Sequence, residues 1–177
     1  MGNFSGTFTG SITNISGRNI IINGAMEIDQ RKEGVSLSIA ADELMSLDRW
    51  RTRRVAAGGT YSVVRSTTVP PGFVNSALLT VTSADASIGV NDYYAFIQRI
   101  EGTNMRGLDF GLSSAKTITV SFWVRSSLTG DFSFALTNAA GNRGFPAKYT
   151  INSANTWEYK TITIPGDTTR YMGDYSC

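Results

Sequence analysis

Thr117-Ile118-Thr119-Val120-Ser121-Phe122-Trp123-Val124-Arg125 is the stretch that decides the fold class. Ile118, Val120, Phe122 and Val124 alternate with Thr119, Ser121 and Trp123. A two-residue period over β-branched and aromatic residues is the pattern of a strand with one buried face. Burial of each of the four apolar side chains contributes roughly 1.5–3 kcal/mol, which predicts a mid-sheet position. The opposite face sets small hydroxyls around one indole, Trp123, and is the first candidate for a binding surface.

Working outward, the same alternation recurs. After Leu128-Thr129-Gly130, strands are predicted over 131–137, 145–151 and 156–164, with a loop rich in Asn and Gly over 138–144. Upstream, strands are predicted over 60–65, 77–82 and 93–100. The break Val69-Pro70-Pro71-Gly72 and a polar loop with Asp85, Asn91 and Asp92 separate them. Stretch 47–54 is the most charged. As a strand it puts Arg49, Arg51 and Arg53 on one side and Trp50 on the other, a solvated face over a core Trp. A nucleic-acid groove needs more basic residues with interleaved aromatics, so no nucleic-acid partner is expected.

Nearer the N-terminus, 18–24 reads as a short strand ending at the Asn23-Gly24 turn signal. Alternation over 25–31 and a weaker strand over 35–41 follow, then a helical turn over 42–46, with Asp42 as its cap. About ten short strands at roughly 8–12-residue spacing are typical of a sandwich or barrel. The expectation is all-β: a two-sheet jelly-roll β-sandwich with crossing connections over 70–76 and 101–115.

The chain has 177 residues, enough for one domain with a real core, or one domain plus an appendage. Abundant Gly, at 18, and Thr/Ser/Val/Ile-rich periodic segments agree with an all-β class. A net charge of +2 is too mild to imply a polyanionic partner. With no His and Cys177 as the one Cys, no disulfide framework, zinc site, Cys–His dyad or Ser-His-Asp triad can be assembled. The N-terminus lacks the basic head and apolar run of a secretory signal, and Gly6 breaks the myristoylation pattern. No apolar stretch approaches the roughly 20 residues of a membrane span, so no membrane partner is expected.

Residues 2–17 differ from the rest. Phe4, Phe8 and Ile12 recur every fourth residue, so an extended chain sets them on one side with Gly6 and Gly10 between, and Ser and Thr on the other. Uncharged and rich in Gly, this segment cannot make a core of its own. It is either a flexible leader or an arm that docks its apolar side on another subunit by strand addition. The domain expectation is an arm over 1–18 and a sandwich over 19–177.

The order of segments 19–31, Leu47-Asp48-Arg49-Trp50, 98–102, 118–125, 149–152 and 156–165 resembles a family of phage virion proteins with a jelly-roll domain similar to carbohydrate-binding modules. The resemblance spans about 19–169. It implies a non-catalytic virion component, a tail-fibre or fibre-attachment protein, working as a homotrimer and attached to other virion proteins through Phe4, Phe8 and Ile12. A capsid decoration or cement protein is an alternative, and the glycan-binding module of a secreted hydrolase another. Jelly rolls of this kind finish with further strands after that of Trp157. The resemblance therefore implies a sheet lacking its final strands, completed by sequence beyond Cys177 or by a neighbour.

A glycan site in such a domain needs a flat aromatic for the sugar's C–H face and planar polar groups for its hydroxyls. Trp123 and Arg125 share a face, and Gln98 and Tyr94 are assigned to the strand beside them. Against this, Trp123 serves packing if a loop or the 47–54 segment covers it, and Trp50 and Trp157 read as core anchors. The resemblance also suggests a calcium site at Glu27 with Asn23, but calcium takes six or more oxygens and the partner carboxylate is missing. No metal, cofactor or catalytic residue is assigned. Glycoside hydrolysis needs two acids about 5–10 Å apart across a cleft, and no spacing singles out a pair among Asp48, Asp92, Glu101 and Asp109.

Overall fold

A computed structural model describes residues 19–40, 44–56 and 58–169; the 2–17 segment lies outside them. The described chain is built of antiparallel strands, as the alternation predicts. In order they are β1 (Leu37–Ile39), β2 (Leu44–Met45), β3 (Trp50–Val55), β4 (Thr60–Ser66), β5 (Ser76–Ser83), β6 (Tyr93–Gln98), β7 (Ile118–Val124), β8 (Gly130–Thr137), β9 (Gly144–Ile151) and β10 (Glu158–Ile164). A single helical turn, α1 (Gly102–Met105), runs into a 3-10 turn at Arg106–Leu108. Among the described residues no helix is long and apolar enough to cross a membrane.

The strands form four ladders, β1-β4-β5, β2-β3-β6, β7-β10 and β8-β9. Two corrections follow. The stretch 118–124 is not mid-sheet, since β7 pairs on one side alone, with β10. Among the described residues no pairing joins the ladders into the two continuous sheets expected.

The ladders pack face to face in two pairs. In the first, Ile39, Tyr61 and Val63 of the β1-β4-β5 ladder are buried against Phe96 of β6. The Tyr61 hydroxyl reaches across to the carbonyls of Ala95 (3.0 Å) and Arg53 (3.3 Å), and burial raises its pKa. The inner face of β3 carries Trp50, Thr52 and Arg54 opposite Gln98, Phe96 and Tyr94. Trp50 stacks on Phe96 at 4.7 Å with planes 4° apart, so the expected core Trp is present, half-buried. In the second pair, Phe122 of β7 meets Tyr149 of β9 edge-on at 5.1 Å, and Phe132 of β8 stacks on Tyr149 at 5.9 Å. Ile151, Ile162 and Ile164 close this layer. A third cluster joins the pairs: Met105 and Phe110, from the connection after β6, pack with Ile20, Ile118 of β7 and Leu136 of β8.

The early segments depart from the sequence reading. Residues 22–25 form a turn, where the Asn23-Gly24 signal puts one, but no strand is found over 19–31. Asn23 at φ 54° and Met26 at φ 57° curl the backbone through the left-handed region, which a strand cannot follow. The Asn23 amide holds that curl: its Nδ2 donates to the carbonyls of Ile28 (2.8 Å) and Asp48 (2.9 Å), and its Oδ1 accepts from the Ile28 N–H (3.0 Å). The expected helical turn over 42–46 is replaced, where described, by β2. Arg49 leaves the row of Arg51 and Arg53, because at φ 72° it precedes β3 and pairs with Glu101.

Candidate binding face

The outer face of the β7–β10 ladder comes directly from the alternation that sends Ile118, Val120, Phe122 and Val124 inward. Register sets Trp123 opposite Tyr159, Ser121 opposite Thr161 and Thr119 opposite Thr163. The two rings lie 5.4 Å apart with planes inclined at 57°. Tyr159 is exposed and Trp123 half-buried. Tyr159 packs on Trp123 from the neighbouring strand. The result is an angled aromatic surface flanked by a double row of hydroxyls. Aromatic faces accept apolar C–H surfaces and hydroxyls both donate and accept hydrogen bonds, the two contacts a sugar or another flat polyol needs.

The end of this face is fixed from below. Glu158 and Lys160 point to the inner side of β10, largely buried, with Lys160 Nζ 2.6 Å from Glu158 Oε2. The Glu158 carboxylate also accepts the backbone N–H groups of Asn152 and Ser153, each at 2.8 Å, and the Asn152 amide at 3.0 Å. The Lys160 ammonium, then the Ser153 N–H, hold its pKa down at about 2. The loop before β10 is therefore tied to the strand that carries Tyr159. Arg125 donates from Nε to the Asn155 carbonyl at 2.8 Å and clamps the same loop from the other side. Sequence reasoning passed over Tyr159, Glu158 and Lys160. The strict alternation of Glu158, Lys160, Ile162 and Ile164 was the available signal for an inward ion pair.

The four residues assigned to a glycan site do not meet on one ladder. Trp123 and Arg125 belong to β7 and its end, whose neighbour is β10. Tyr94 and Gln98 belong to β6, whose neighbour is β3. Gln98 is a clamp: its amide accepts from the Ile22 N–H (2.8 Å) and donates to the Ile22 carbonyl (2.6 Å). Tyr94 closes a loop, donating from its hydroxyl toward the Gly58 carbonyl (2.6 Å) and Asp85 (2.8 Å). The Cβ of any larger residue at Gly59, where φ is +66°, would stand 2.6 Å from that hydroxyl. Asp85 is held below the usual carboxylate range by the Ser87 N–H and then by Tyr94.

Other polar clusters are committed to structure. A shallow hollow of about 320 Å³ at the β8–β9 turn is lined by Thr137, Asn142, Arg143 and Phe145 among others. Its guanidinium is locked on Asp167 through Nε (2.5 Å) and Nη2 (2.6 Å), which keeps that carboxyl well below its ordinary range. At the suggested calcium position, the Asn23 side chain is occupied as described, and the Glu27 carbonyl accepts from Arg65 at 3.0 Å. Among the described residues no three acidic, His or Cys side chains are grouped to hold a metal.

No protein-family model matches the chain, and neither a curated protein nor a solved structure matches it.

Proposed function

We propose that the chain is a non-catalytic structural protein of a phage particle, a tail-fibre or fibre-attachment component built on a carbohydrate-module-like jelly roll, working as a homotrimer. The nesting of its strands supports the jelly-roll part of this reading, and the segment order that resembles the virion family supports the rest. β3 pairs with β6 around the β4–β5 hairpin, and β7 pairs with β10 around the β8–β9 hairpin. Joining β8 to β3 and β7 to β4, across borders that β2 and β1 hold and where no pairing forms among the described residues, would give two four-stranded sheets, β9-β8-β3-β6 and β10-β7-β4-β5. Those are the neighbour relations of a jelly roll in circularly permuted order. The short strands β1 and β2 stand at those two borders, on β4 and β3 respectively. Most segments that resemble the virion family, at 98–102, 118–125, 149–152 and 156–165, fall on or beside the nested strands.

The Trp123–Tyr159 face is the surface assigned to host glycan. Two experiments test the reading. Immunogold microscopy of purified particles is expected to label the tail; head labelling favours the capsid-decoration alternative, and unlabelled particles overturn a virion role. Binding to an array of bacterial surface glycans is expected to be lost in Trp123→Ala, and a wild-type chain that binds nothing removes the glycan assignment.

A further inference from the structure

We infer that the free edge of β5 is the acceptor for residues 4–12 of a second copy of this chain, added as an extra strand. This rests on reading the N-terminal segment as an assembly arm. β5 is an edge both in its own ladder and in the jelly-roll order. Edges are normally protected by charge, Pro, a bulge, brevity or cover. The other terminal strands of that order have such devices: Lys148 and Pro146 on β9, Glu158 and Lys160 on β10, and the Ile22–Gln98 clamp on β6. Apart from a register shift against Thr60 and Tyr61 at its last residues, β5 has none. Its eight residues, Ser-Ala-Leu-Leu-Thr-Val-Thr-Ser, carry no charge and no Pro.

Its apolar side chains are also uncovered. Leu79 is 44% and Val81 72% exposed, although their register beside Val63 and Tyr61 sets both on the core-facing side of the ladder. Phe73, Val74, Ile88 and Val90 in the flanking loops are exposed as well. An apolar surface of this extent around an open edge marks an interaction site.

The occupant is argued from the chain itself. Residues 2–17 are as free of charge as β5, and 4–12 are long enough to run its whole length. Phe4, Phe8 and Ile12 lie on one side of an extended chain, with Gly6 and Gly10 giving room between them. That is a large-small pattern for covering Leu79 and Val81. The arm's entry is pinned elsewhere: Ile20 packs against the Met105–Phe110 cluster, and Ile22 is clamped by Gln98. The eight-residue step from Ile20 back to Ile12 extends up to about 28 Å, so the accepting β5 of a neighbour stands within that reach. Each copy then donates one arm and accepts one, a head-to-tail contact that closes into a ring such as a trimer. Pairing β5 with the β5 of another copy would instead leave Phe4, Phe8 and Ile12 uncovered.

The test uses full-length chains in which Cys177→Ser removes the native thiol. One chain carries Thr9→Cys, on the hydroxyl side of the arm, and the other Thr80→Cys, on the exposed outer side of β5. With a flexible bismaleimide, cross-linked dimer is expected in the mixture and in neither chain alone, and Phe4→Asp with Phe8→Asp in the donor abolishes it. Dimer from the Thr80→Cys chain alone means β5 pairs with itself. A doubly substituted chain that cross-links only within itself means the arm folds back on its own domain. Either result, or no cross-link in the mixture, overturns the inference. Failure of the virion reading is seen separately, as absence of the protein from purified particles.

Discussion

Trp123 and Tyr159 stand directly opposite each other across the β7–β10 ladder, their ring centres 5.4 Å apart. Opposed aromatic pairs on one sheet face add about 0.5–1.5 kcal/mol beyond the area they bury. A double-mutant cycle over Trp123→Ala and Tyr159→Ala, read by chemical denaturation, is therefore expected to give a coupling in that range. Strict additivity of the two substitutions would mean the rings do not touch in solution.

Glu158 supplies a pH dependence with a definite sign. Its carboxyl is held at about 2 in the folded chain against an ordinary 4.5. The ionised form therefore favours the fold. That stabilisation is fully present above 4.5 and is lost as pH falls toward about 2. Glu158→Gln cannot titrate, so the gap in thermal midpoint between the wild type and this variant is expected to shrink across that window. Asp131 and Asp167 are also held low, by Lys148 and Arg143 respectively, and their contributions cancel in the difference. A gap that stays constant through the window would show that the Lys160–Glu158 contact does not form.

Asn23 is the hub of the segment before β1. Besides the three bonds of its amide, its carbonyl accepts the Trp50 indole N–H at 3.0 Å. Asn23→Ala keeps that last bond, removes the other three and places Ala at φ 54°, a conformation Asn tolerates better. A loss of about 1–3 kcal/mol is expected from the partners left unpaired. Hydrogen exchange gives the more specific readout: the Ile28 amide should lose protection while β8 and β9 keep theirs.

The strands were legible where one face is buried and the other is not. β8 alternates without a break, from Asp131 outward to Leu136 inward, and its bounds follow from the sequence almost to the residue. Apart from the Asn23-Gly24 turn, the 19–31 region was illegible because its structure comes from single positions. Ile20 and Ile22 look like one strand, yet one fills the cluster of Met105 and Phe110 while the other is fixed by a side chain 76 residues away. Positive φ at Asn23 and Met26 leaves no periodic trace. The binding face was half legible. Alternation sends Trp123 outward, but its partner depends on register with a strand some forty residues later, which composition cannot supply.

Ile151 and Val81 make the same point quantitatively. Both are β-branched residues near the end of an alternating strand, and in the sequence nothing ranks one above the other. Ile151 is 1% exposed, set beside Gly130 in the layer closed by Ile162 and Ile164. Val81 is 72% exposed at the open edge. Truncating a buried Ile to Ala removes its transfer energy and leaves a cavity, about 2–5 kcal/mol together. An exposed substitution away from such features stays within about 0.5 kcal/mol. Ile151→Ala is therefore expected to lower the denaturation midpoint severely. Val81→Ala should leave it unchanged in a chain lacking residues 2–17, where no arm is present to cover the position. In the full chain, at concentrations where copies associate, Val81→Ala should weaken that association and lower the midpoint with it. Equal midpoints for the two substitutions in the shortened chain would contradict the burial of Ile151 at the centre of the β7–β10 and β8–β9 layer.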